Sequence, residues 1–185
     1  YVNVNDSMIT PTINCSALST VTLDWTGNFY FYSTYLDYAF IEGSTDGGAT
    51  WPYLIKALTE STTYTSTYDI SSWAAGQANV NIRFRFQRPI SPGNGGYWYL
   101  DNVRVGDATT TKLFQSFDGP TAYFTNFKTS IIPDNWGIWS WNTVTGVSAG
   151  NKWSNLLTGT SPTCSPHGGT RMAQYNSFSA TTGNQ

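Results

Sequence analysis

Residues 79–87 alternate without a break: Val80, Ile82, Phe84 and Phe86 are apolar, while Asn79, Asn81, Arg83, Arg85 and Gln87 are polar. A period of two cannot line one face of a helix. It sets an apolar row against a core and a basic, polar row outward, as a β-strand does. Val21, Leu23 and Trp25 alternate with Thr22, Asp24 and Thr26 in the same way, and Tyr38 to Glu42 reads as a third strand. Tyr97 to Val105 starts apolar on both faces, with Tyr97 and Tyr99 against Trp98 and Leu100, so it is expected in the middle of a sheet. Leu113 to Phe117 and Arg171 to Asn176 are two further strands. The run Ser91-Pro92-Gly93-Asn94-Gly95-Gly96 has loop chemistry, and Asp46-Gly47-Gly48 has the residues of a hairpin turn with positive φ. Only Ser71 to Ala75 reads as helix, one turn at most. The expectation is an all-β chain, an antiparallel jelly-roll β-sandwich.

A chain of 185 residues can bury one sizeable sandwich core. Its charged residues amount to 11%, far below the roughly 25% of an average soluble protein. Hydroxyls and amides replace them, which is the habit of secreted and cell-surface β-proteins. The net charge of -2 offers nothing to nucleic acid or to an anionic membrane. No apolar run approaches the ~20 residues of a membrane span. The chain opens at Tyr1 with no signal peptide, as a processed or excised polypeptide would. In a secreted protein the two cysteines, Cys15 and Cys164, are expected to pair; two buried thiols are the alternative.

Catalytic constellations are hard to assemble from these residues. The one histidine, His167, lies in a Cys-Ser-Pro-His-Gly-Gly loop, so a two-histidine zinc helix cannot form. No Gly-x-Ser-x-Gly elbow presents a nucleophile, and the eleven acids nominate no facing pair of the kind that cleaves glycosides. A non-enzyme is expected. Ser44 to Trp51 is similar to the Asp-box of sialidase-like propellers, where that motif folds a hairpin; here Asp46 is expected to cap turn amides with Trp51 packed behind. Trp136, Trp139 and Trp141, with Tyr30, Tyr32 and Tyr35, could stack on sugar rings, or could serve packing or a protein interface.

Several motifs carry a family resemblance. Ser44 to Trp51, Tyr68-Asp69-Ile70-Ser71, Val80 to Phe86 and Tyr97 to Val105 follow one another as in the C-terminal half of MAM-like jelly rolls of the choice-of-anchor J or cleaved-adhesin type. Their specific signature "gWyiDNV" corresponds to Tyr97 to Val103, and Ile9 to Ser16 is similar to their "L-x-T-P-x-I-D-L-S" strand. Leu113 to Gly119 resembles the opening "l-x-e-s-F-e-G" of the same domain. Ile132 to Trp136 resembles "f-P-p-g-W", and Gly168 to Ala173 with Asn176-Ser177 resembles "G-x-x-m-a … n-S". The two halves thus stand in reversed order: residues 1–105 resemble the C-terminal half, 113–185 the N-terminal half, and 106–112 read as a linker.

What the resemblance implies is a surface protein. The halves could close on each other as a permutation, be exchanged between copies into a polymer, or reflect one unit cut from a tandem array. It also implies a structural calcium ion held by Asp101 and Asp118, with other oxygens completing the shell. The function expected is a non-catalytic extracellular structural or adhesive module that assembles with copies of itself. The alternative is a carbohydrate- or protein-binding accessory domain of a secreted enzyme, which would meet surface glycans through Trp136, Trp139 and Trp141.

Overall fold

A computed structural model of the chain describes residues 4–31, 37–88, 96–116, 137–139, 153–156, 159–160, 163–167 and 172–176. The front sheet contains β1 (Val4–Ile9), β3 (Tyr38–Ser44), β4 (Tyr53–Leu58), β6 (Asn81–Arg88) and β9 (Gly137–Trp139), in the order β4-β3-β6-β1-β9. The back sheet contains β2 (Thr22–Tyr30), β5 (Thr62–Asp69), β7 (Tyr97–Gly106), β10 (Trp153–Leu156) and β13 (Met172–Asn176), in the order β10-β13-β7-β2-β5. A further strand, β8 (Thr111–Gln115), also pairs with β7, and β11 (Gly159–Thr160) forms a short ribbon with β12 (Thr163–Cys164). All named pairings are antiparallel. From β1 to β8 the chain passes from one sheet to the other at each connection except β3–β4 and β7–β8, which is the wrapping of a jelly roll. Among the described residues no helix is long and apolar enough to cross a membrane.

The alternation in 79–87 becomes the central strand of the front sheet. Ile82, Phe84 and Phe86 are fully buried, and they meet Trp25, Phe29 and Trp98 from the back sheet. Trp25 meets Phe84 edge-on at 6.4 Å, and Phe29 meets Phe86 at 6.3 Å. Each such ring contributes about 1.5–3 kcal/mol by leaving water, plus the edge-to-face preference. The opposite, polar row is held in place: Glu42 on β3 pairs with Arg83 at 2.8 Å and Arg85 at 2.9 Å, and the two guanidinium groups lie over Trp51 and Phe40.

The local chemistry read from sequence behaves as expected in two places. Gly47 and Gly48 have φ of 78° and 88°, and Asp46 accepts hydrogen bonds from Ser44 Oγ at 2.6 Å and Thr50 N at 3.0 Å. The one helical turn is α1 (Ser71–Ala74).

Two expectations are revised. Residues 106–112, expected as a linker, take in the end of β7, a tight turn over 107–110 and the start of β8. Asp107 Oδ1 accepts from Thr109 N at 2.8 Å and Thr110 N at 2.6 Å, and Asp107 N donates to Thr110 O at 2.9 Å. An Asp followed by small hydroxyl residues makes its own turn. Secondly, Cys15 is a free thiol rather than half of a bridge to Cys164. It is fully buried in the core, its backbone tied to Gln77 and Leu18, and burial pushes its thiol pKa up, with Lys112 opposing weakly. The Cys164 side chain lies outside the described residues.

The two sequence segments share both sheets within one chain. From the second segment, β13 and β8 pair with β7, and β9 pairs with β1.

Candidate functional site

On one side, β7 pairs with β2 along its length. On its other side two strands meet it end to end. β13 covers Tyr97 to Leu100 and β8 covers Val103 to Gly106, so Asp101 and Asn102 fall in the gap. The backbone is irregular there. Asn102 has φ 51°, and the β2 register slips between Asp24 and Thr26. Leu-Asp-Asn-Val suits this: Asn tolerates the left-handed region, and Asp101 Oδ1 accepts from Asn102 N at 2.8 Å, holding the bend. The Asp101 carbonyl in turn accepts from Thr26 Oγ1 at 3.0 Å.

A cavity of about 440 Å³ opens at this gap, on the back sheet's outer face. Its polar wall comes from outward positions of three adjacent strands: Thr26 and Asn28 of β2, Thr63 and Thr65 of β5, Asp101 of β7. Tyr99, Leu100 and Met172 supply the apolar part, and Ser165 and His167 close the rim after β12. Asn28 Nδ2 donates to Thr63 Oγ1 at 2.7 Å, so these side chains are pre-set across the strands. His167 is exposed, with Nδ1 3.4 Å from Asn102 Nδ2. Beneath the floor, Trp98 Nε1 donates to Tyr64 Oη at 2.5 Å. Burial pushes the Tyr64 phenol far above its ordinary range, and this hydrogen bond opposes the rise only in part, so Tyr64 stays neutral.

Asp101, expected as a metal ligand, is 3% exposed and sits in this cavity. Calcium takes six to eight oxygens, yet among the described residues no three His, Cys, Asp or Glu side chains converge. Asp101 is the one carboxylate among the described lining residues, and Asp118 lies outside the described residues. Trp136 and Trp141 lie outside them as well; Trp139 enters only through its backbone, opposite Ser7. Tyr30 is 39% exposed and stacks on Tyr97 at 5.1 Å, while Tyr32 and Tyr35 are outside the description.

The cavity's Thr, Asn and Tyr residues carried no sequence signal of their own. Outward polar residues on strands look alike until the neighbouring strands are known. The nearest hint was Asp101-Asn102, a pair that breaks the alternation of β7. No family model matches the chain, and no curated protein matches it.

Proposed function

We propose that this chain is a non-catalytic, extracellular adhesive module that holds a neutral saccharide unit in the cavity beside Asp101. One observation carries the reading: a preformed cavity of about 440 Å³ whose wall joins Tyr99, Leu100 and Met172 to hydroxyl, amide and carboxylate groups on rigid strands. That volume lies in the range of small-ligand sites. A sugar presents an apolar C–H face and a ring of hydroxyls, and this wall offers a partner for each. Among the described lining residues there is no lysine or arginine, and Asp101 disfavours anionic sugars. A glycosidase would need a second facing carboxylate, and the described lining has one. The low charge and the likeness of Tyr97 to Val103 to surface-protein jelly rolls agree with an extracellular setting.

Calorimetric titration against a panel of neutral oligosaccharides is the test. Binding should weaken several-fold in Thr65→Val and in Ser165→Ala, each of which removes one hydroxyl worth about 0.5–1.5 kcal/mol. Failure of the whole panel to bind, or binding unaffected by either change, would count against the site.

A structural subunit is the second reading, favoured by the way β8, β9 and β13 complete sheets begun by the first segment. These pairings lie within one chain, which supports a permutation. A chain reordered as 113–185 followed by 1–105 should then fold with the same circular dichroism and show no open-ended polymerisation, like the natural order. If the natural order polymerises without limit and the reordered form does not, exchange between copies replaces permutation.

A further inference from the structure

We propose that the outer edge of β5 is a homotypic seam, at which two copies of this chain pair antiparallel about a two-fold axis through Ser66 and join their back sheets. The proposal does not depend on what the cavity binds.

β5 is the end strand of the back sheet among the described residues. Its register with β2 runs unbroken from Thr62 to Asp69. Ile70 N donates to Val21 O at 2.9 Å. Reciprocal bonding alternates along an antiparallel ladder, so Thr62, Tyr64, Ser66 and Tyr68 bond inward to β2. The N–H and C=O groups of Thr63, Thr65 and Thr67 therefore face outward, and these three residues are exposed. Exposed edges are usually blunted by charge, proline or a bulge. The edge of the front sheet has such protection, since β4 carries exposed Lys56 and a register break against β3. β5 has none of the three from Thr62 to Tyr68.

The sequence of this edge says which strand fits it. Tyr64-Thr65-Ser66-Thr67-Tyr68 reads the same in both directions. An antiparallel pair centred on Ser66 sets Tyr64 against Tyr68 and Thr65 against Thr67 of the other copy. Thr65 and Thr67 are outward-bonding residues, so this register lets them exchange N–H and C=O groups across the seam. Threonine and tyrosine pairs are favourable cross-strand neighbours. The inner row is already ordered: Trp25 stacks on Tyr68 at 4.8 Å and meets Tyr64 edge-on at 5.9 Å. A two-fold seam of this kind is self-complementary and closes at a dimer.

Sedimentation velocity on the 185-residue chain up to about 0.5 mM tests the seam, a range that catches weak association. The natural chain should sediment as a concentration-dependent dimer. Thr67→Pro removes one outward N–H that β2 does not use, and Thr67 does not line the cavity. It should raise the dissociation constant about tenfold or more, with unchanged far-UV circular dichroism. Thr67→Lys, which keeps every backbone bond, should do the same and decides the matter if the proline variant misfolds. A natural chain that stays monomeric across this range overturns the proposal. So does association, dimeric or open-ended, that persists in the folded variants.

Discussion

Replacing Asp37 with Ala should cost more stability than any surface change in this chain. Asp37 precedes β3 and is fully buried; Arg88, at the end of β6, is 2% exposed. Their Oδ1–Nε separation is 2.7 Å, and the other carboxylate oxygen accepts from Gly96 N at 2.5 Å, just before β7. One carboxylate thus ties together the ends of three strands. Removing it takes the counter-charge from a buried guanidinium, a loss of about 3–5 kcal/mol. A chain of this length has about 5–15 kcal/mol in total, so urea unfolding should show the loss as a large fall in midpoint at unchanged slope. In a thermal scan it corresponds to roughly 10 °C. Asp37→Asn should cost less, because an acceptor for Gly96 remains. The double variant Asp37→Ala with Arg88→Met should be clearly less damaged than the sum of the singles, since the residues touch. A loss under about 1 kcal/mol, or strict additivity in the cycle, would refute the reasoning.

Gly43→Ala should destabilise by about 1–3 kcal/mol, because a Cβ there runs into the Trp73 ring, which is stacked on Tyr53 at 4.6 Å; an unchanged melting temperature would contradict that packing. Acid should weaken the fold in a defined direction. Ser44 and Thr50 hold Asp46 below its ordinary range. At Glu42 burial pushes upward, but the hydrogen bonds and charges of Arg85 and Arg83 outweigh it and leave the carboxyl lowered. Stability carried by lowered carboxylates is complete above their unfolded values and lost as pH falls through the folded ones. The urea midpoint should therefore be flat above about pH 5 and drop below about pH 4, and a flat profile down to pH 2 would exclude these contributions. Cys15 should resist alkylation in the native, unreduced protein and react on unfolding without reductant; a need for reductant would mean that it is bridged after all.

The sequence disclosed the strands with a large apolar row, because burial and alternation coincide in them: β2, β3, β6 and β7 stand where Trp25, Ile41, Phe84 and Trp98 pointed. β5 went unread although it alternates perfectly, since its rows are tyrosine with serine against threonine, all polar enough for a loop. β1 escaped for a related reason, as Asn5, Asp6 and Ser7 dilute the apolar signal between Val4 and Met8. The turn at Asp107 reads as a linker in the sequence because short polar runs look alike until a strand on each side is paired. At the site, Asp101 was visible as part of a distinctive motif, whereas its neighbours were not. Thr26, Thr65 and Met172 come from three strands that sequence alone does not set side by side.

His167 provides a single reporter at the rim of the cavity, since the chain has no other histidine. Its imidazole signals in a histidine-labelled sample can be followed by NMR while a neutral oligosaccharide is added. Saturable shifts of those signals, weakened in Thr65→Val, are the predicted result. Binding that saturates elsewhere while the His167 signals stay fixed would contradict a saccharide site at the gap in the β7 edge.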